Sequence, residues 1–191
     1  MGPDRPPSST LKGLYFADQL EVQVPGEQLA WLQRELVNAS KTCNAVFVVG
    51  HHGVYTGGIH GQNSRQHDLK DRLAFPAVFA YLGVDVYANG HDHILQHAFK
   101  DGTDYITTGA GSDVRTNNVD IPESLYLQDD NGFTVHSFNA THLSHIFVDA
   151  SGLVTHTSLR ALNPKLRSGG TGAPAPAVDW FAAAVAPGGR R

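Results

Sequence analysis

The sequence predicts an α/β fold in which strands alternate with helices and a run of antiparallel strands follows. Three features carry that prediction. Residues 44–49 (Asn-Ala-Val-Phe-Val-Val) form an almost uninterrupted apolar, valine-rich run, as a strand buried on both faces would. Residues 84–88 (Val-Asp-Val-Tyr-Ala) form a second strand-like run, and each run leads into a Gly-His pair, Gly50-His51 and Gly90-His91. Open α/β sheets place ligands beyond the carboxyl ends of their strands. Two histidine loops at two such ends are therefore expected to face one site.

In chain order, residues 1–12 are Pro/Ser-rich and read as a disordered leader. Residues 14–24 alternate loosely and suggest a strand entering the core. Pro25-Gly26 opens a helix over 27–38, with Leu29, Leu32 and Leu36 on one face and Glu27 in the first turn, where acidic charge is favoured. A glycine-rich loop follows the 44–49 strand. Residues 66–82 are helical in pattern, but Pro76 demands a kink or two short helices. A hairpin is expected next, with strands over 94–99 and 104–108 and a turn at Lys100-Asp101-Gly102. Gly109-Ala110-Gly111 makes a permissive corner. Further strands are expected over 133–138, 143–149 and 153–159, with a tight turn at Ala150-Ser151-Gly152. The domain is placed at residues 13–166, and 167–191 read as a flexible Gly/Ala/Pro-rich tail.

A chain of 191 residues, 41% apolar and 17% charged, is an ordinary globular composition and sufficient for one core. A net charge of -4 and the absence of a basic stripe argue against nucleic acid as a partner. No apolar run approaches the roughly 18 residues of a membrane span, and the tail's apolar patch, residues 180–186, is too short. No secretory signal is recognisable after Met1, so the compartment is left open. Cys43, the single cysteine, allows no internal disulfide and reads as a buried small residue.

Gly90-His91-Asp92-His93 carries the chemistry. A glycine that lets the backbone turn, followed by two imidazoles one residue apart, can aim two nitrogen ligands at one metal ion. Together with Val48-Val49-Gly50-His51, His60-Gly61, Thr108-Gly109-Ala110-Gly111 and the Gln28-Leu29-Ala30-Trp31-Leu32 helix, this block resembles the purple acid phosphatases. The resemblance extends further in the tartrate-resistant branch of that family, which lies within the calcineurin-like metallophosphoesterases. The resemblance spans about residues 14–159. It implies a partial four-layer α/β/β/α sandwich and hydrolysis of phosphate monoesters at a dinuclear centre, Fe with Fe, Zn or Mn. It also implies that His51 and His91 ligate the divalent ion, that His93 ligates the ferric ion, and that His60 holds the phosphate or protonates the departing alcohol. The family is often secreted or lysosomal.

The family's first three blocks, an Asp-x-Gly, a Gly-Asp-x-x-Tyr and a Gly-Asn-His-Asp/Glu, find no counterpart ahead of Leu14. With them go the bridging aspartate, the ferric site's aspartate and tyrosine, and an asparagine; Asp18 is not in the required context. The chain is thus expected to be the C-terminal half of such an enzyme. Its complement would be an N-terminal half, or it would self-associate; alternatively it is a non-catalytic metal- or phosphate-binding remnant. His52 reads as a loop residue beside a ligand. His67, His97, His136, His142, His145 and His156 read as structural or surface residues, and Asp92 as pointing away or orienting an imidazole. Asn38-Ala39-Ser40 and Asn139-Ala140-Thr141 match the glycosylation triplet.

Overall fold

The structure, a computed structural model, describes residues 25–61 and 68–163. The leader, the strand expected over 14–24, Asp18, His67 and the tail lie outside the described residues. Helix α1 (Pro25–Thr42) carries Glu27 in its first turn and Lys41 in its last, both signs matching the helix dipole. It buries Leu29 and Leu36 and leaves Trp31 half exposed. Strand β1 (Phe47–Val49) follows. A five-residue π-helical turn (Asp68–Arg72) and helix α2 (Phe75–Leu82) replace one long helix. The break falls at Ala74, which adopts a left-handed φ of 50°, and Pro76 then occupies the first turn, where its missing N–H costs nothing. Gly83, at φ 68°, ends α2 by donating its N–H to Phe79 O.

Strands β2 (Val86–Asn89), β3 (Leu95–Lys100), β4 (Thr103–Thr108) and β5 (Ser124–Gln128) join β1 in one sheet of order β1-β2-β4-β3-β5. β1, β2 and β4 are parallel, while β3 runs antiparallel to β4 and β5. β6 (Gly132–Phe138), β7 (His142–Asp149) and β8 (Val154–Ala161) form a second, antiparallel sheet.

Side-chain alternation splits the first sheet into two faces. Val48, Tyr87, Tyr105 and Ala98 stand in register across it and pack with Leu29, Leu36, Val78, Phe79 and Leu82 of the helices. Their neighbours Val86, Ile106 and Leu95 face the other way, onto Leu143 and Phe147 of β7. Fully burying an aromatic such as Phe79 or Phe147 stabilises the layers by about 1.5–3 kcal/mol each. Among the described residues the layers are therefore helix, sheet and sheet, the α/β/β part of the four-layer sandwich.

Three expectations are corrected. β1 is not buried on both faces: among the described residues it is an edge strand, and Val49 is 80% exposed. Cys43 is exposed, because it lies just past the end of α1 rather than under it. β5 was not anticipated at all; it adds a strand beside β3, and Leu125 points outward. Of the histidines read as structural or surface, His97 and His145 are completely buried between the sheets, His136 and His156 are half-buried, and His142 is exposed. Burial, together with the neighbouring His145, lowers the His136 imidazole to about 4.

Candidate metal centre

The parallel pairing of β1 with β2 brings their carboxyl ends side by side. The join continues past the strands: Gly50 donates its N–H to Ala88 O at 3.0 Å, and His91 donates its own to His51 O at 2.9 Å. The two histidine loops are thus locked together by backbone before any side chain is considered. Their imidazoles then meet, with His91 Nδ1 3.0 Å from His51 Nε2.

His91 is the hub of four rings. The His51, His52 and His60 ring centroids lie 4.8, 4.5 and 4.3 Å from its own. One nitrogen from each of His51, His52 and His91 falls within a 4.8 Å cluster. His52 belongs to this group because residues 51–52 bend instead of extending, so both rings turn to the same side. Tyr87 Oη holds that bend by donating to His52 O at 2.8 Å. Tetrahedral zinc with bonds of ~2.0–2.1 Å sets its donors roughly 3.3 Å apart, so the 3.0 Å separation of His51 and His91 fits one ion after a small adjustment.

His60 reaches the cluster on a loop that Asp92 anchors. The buried Asp92 carboxylate accepts the Thr56 hydroxyl at 2.7 Å and the His60 N–H at 3.0 Å. Asp92 thus commits both carboxylate oxygens to the 56–60 loop. Gly58 is required here, since a Cβ on it would sit 2.3 Å from the Asp92 carboxyl carbon.

His93 stands apart from the cluster. Its Nδ1 is buried, has no hydrogen-bond partner, and lies 3.4 Å from Asp113 Oδ2, a carboxylate that also pairs with Arg115 at 2.9 Å. Asp113, in the long segment before β5, was not singled out from the sequence, since a lone exposed aspartate carries no motif. A groove of about 420 Å³ opens beside His51 and His52, walled by Leu29, Trp31 and Leu32 of α1. A larger cavity of about 630 Å³, lined by Tyr55, Lys70 and Glu123 among others, borders the His60 loop but contains none of the four histidines.

Parallel strands ending in clustered histidines, backed by helices on one face and a second sheet on the other, define a metallophosphoesterase-type architecture. The chain superposes on a purple acid phosphatase from yellow lupin seeds with a TM-score of 0.60 over 71% of this chain and 28% of that one, at 16% identity. It also superposes on GAP50, the anchor in the inner membrane complex of Plasmodium, with a TM-score of 0.62 and 27% identity over 72% and 42%. In sequence it is 38% identical over 120 residues to purple acid phosphatase 7 of Arabidopsis thaliana, 59% of this chain and 34% of that one. It is 34% identical over 93 residues to human tartrate-resistant acid phosphatase type 5, 48% of this chain and 26% of that one. No family model matches the chain. Over roughly half of its length the chain is similar to the purple acid phosphatases, the tartrate-resistant branch included, consistent with their C-terminal half. It spans about a third of the length of the curated relatives it matches.

Proposed function

We propose that this chain supplies the histidine half of an acid phosphatase site acting on phosphate monoesters. In this reading His51 and His91 hold a divalent ion with His52 beside them, and His93 ligates the second, ferric ion with Asp113 within reach. The carrying observation is the 3.0 Å approach of the His51 and His91 nitrogens with the His60 ring tilted against that of His91. A dinuclear centre in such a site supplies charge for the phosphoryl oxygens and a water of lowered pKa. The chain's own residues do the rest. His60 offers a ring N–H to a phosphoryl oxygen or a proton to the departing alcohol, held at that position by Asp92 through its backbone. The groove along Leu29, Trp31 and Leu32 receives the organic part of the ester.

A second reading, a non-catalytic metal- or phosphate-binding protein, is favoured by His93. Its Nδ1 has no hydrogen-bond partner among the described residues, and the nearby Asp113 carboxylate is itself paired with Arg115. Hydrolysis of p-nitrophenyl phosphate across acidic pH, with iron and zinc added, separates the two. The phosphatase reading expects little turnover by the chain alone. It expects turnover on addition of a polypeptide carrying the three missing motifs, reduced by His60→Ala. No turnover in either case rejects the phosphatase reading in favour of the binding one.

A further inference from the structure

We propose that His97, Asp104 and His145 form a second, buried binding site, for a divalent transition-metal ion of the zinc type, that pins the two sheets together. The three side chains come from β3, β4 and β7, and each is essentially inaccessible, at 0%, 1% and 0% exposure. One donor atom from each falls within a 4.8 Å cluster. His97 Nε2 lies 2.8 Å from Asp104 Oδ1, and His145 Nε2 lies 3.2 Å from Asp104 Oδ2. Donors around a tetrahedral zinc stand roughly 3.3 Å apart, so the cluster needs only a slight opening to admit an ion. Two imidazoles and a carboxylate are donors of the class that zinc and cobalt prefer.

The independent observation is at His145. Its Nε2 is buried and lacks a hydrogen-bond partner, although Asp104 Oδ2 lies 3.2 Å away. A polar atom left unmatched in a core is destabilising, and a bound ion would match it.

The surroundings also match a metal site. Ligating imidazoles usually donate their other N–H to a fixed partner. Here His97 Nδ1 faces His156 Nε2 at 3.0 Å, and His145 Nδ1 faces His136 Nδ1 at 2.6 Å. His136 Nε2 in turn meets Thr134 Oγ1 at 3.1 Å. With an ion present, His97 and His145 carry their protons on Nδ1 and donate to His156 and His136. His136 then donates from Nε2 to the threonine hydroxyl. No imidazole changes charge; each changes tautomer. The opposing feature is Arg160, whose Nε donates to Asp104 Oδ2 at 2.6 Å and whose Nη1 lies 3.9 Å from Asp85 Oδ1. It occupies one carboxylate oxygen and leaves Oδ1 for the ion. The two aspartates and one arginine keep one negative charge in excess at the site.

The test uses the full chain carrying His51→Ala, His52→Ala and His91→Ala, which removes the cluster at the strand ends. After chelation, cobalt(II) is titrated and followed by its visible absorption and by calorimetry. One ion per chain and a rise in melting temperature are expected, with His145→Gln or Asp104→Asn abolishing both. In a third arm, Arg160→Met is expected to tighten binding about tenfold by removing the opposing charge. That arm decides the matter should the other two variants not fold. No bound ion, binding indifferent to His145→Gln, or weaker binding by Arg160→Met would each overturn the proposal.

Discussion

Asp92 Oδ1 accepts the backbone N–H of His60 at 3.0 Å, and this bond ties the loop after β1 to the loop after β2. The other carboxylate oxygen takes the Thr56 hydroxyl, whose own oxygen accepts the Gly58 N–H at 3.0 Å. Asp92→Ala leaves the His60 N–H and the Thr56 hydroxyl without this partner. The expected loss of stability is about 1–3 kcal/mol. Urea denaturation measures it. Because the His60 ring rests on His91, proton NMR of the imidazoles should show both rings shifted while His156 stays unchanged.

Gly109 marks where backbone meets backbone. A Cβ there would stand 2.1 Å from Asp92 O and 2.4 Å from Gly90 O, neither of which can rotate away. Gly109→Ala should therefore displace the 90–93 loop and destabilise the chain by roughly 1–3 kcal/mol, as overpacking does. Gly111, two residues on, has nothing within 4 Å of such a Cβ, and Gly111→Ala should change stability by less than about 0.5 kcal/mol. Melting temperatures of the two variants make the comparison, and equal effects would refute it.

The elements legible in the sequence were those with a strong local signal. β2, the β3–β4 hairpin, β6, β7 and β8 follow from alternation and turn residues, and the helix break follows from Pro76. β5 was missed because Ser124-Leu125-Tyr126-Leu127-Gln128 is short and half exposed; only Leu125 and Leu127 alternate. The Gly-His pairs marked the candidate site, since glycine and histidine at strand ends are a local pattern. That His52 also faces His91 depends on how residues 51–52 bend, and adjacency in sequence argued for the opposite. The His97–Asp104–His145 cluster was illegible for a different reason. Its members lie in three strands of two sheets, and nothing in the spacing of 97, 104 and 145 shows that they meet.

Asp104 is the charge on which the two sheets converge. Burial alone would raise its carboxyl, but the His145 imidazole beside it, the hydrogen bond with His97 and the Arg160 guanidinium together hold it well below the usual carboxylate range. Asp104→Asn turns an amide N–H donor toward at least one donor and strands Arg160, and breaking a buried pair in this way costs about 3–5 kcal/mol. Arg160→Met should cost less, about 1–2 kcal/mol, because Asp104 keeps both imidazoles. Denaturant midpoints in metal-free buffer should fall in that order, and the reverse order would contradict the central place given to Asp104.

His91 and His93, two residues apart, are expected to respond differently to mutation. His91 touches the His51, His52 and His60 rings and lies 3.0 Å from the His51 nitrogen, whereas the His93 ring has Asp113 beside it and none of these three rings among its described contacts. A first divalent ion should therefore enter at His51, His52 and His91. His91→Ala should remove one zinc from the stoichiometry measured by calorimetry at neutral pH, while His93→Ala should leave that stoichiometry unchanged. The same difference should appear in stability. An ion at 100 times its dissociation constant adds about 2.7 kcal/mol to the folded state, so chelation should lower the melting temperature of the parent chain and of His93→Ala. Any contribution from another site is common to all three proteins, so His91→Ala should show the smaller drop. If His93→Ala loses the ion and His91→Ala retains it, the first ion sits against Asp113, and the assignment of the histidine hub as its site is wrong.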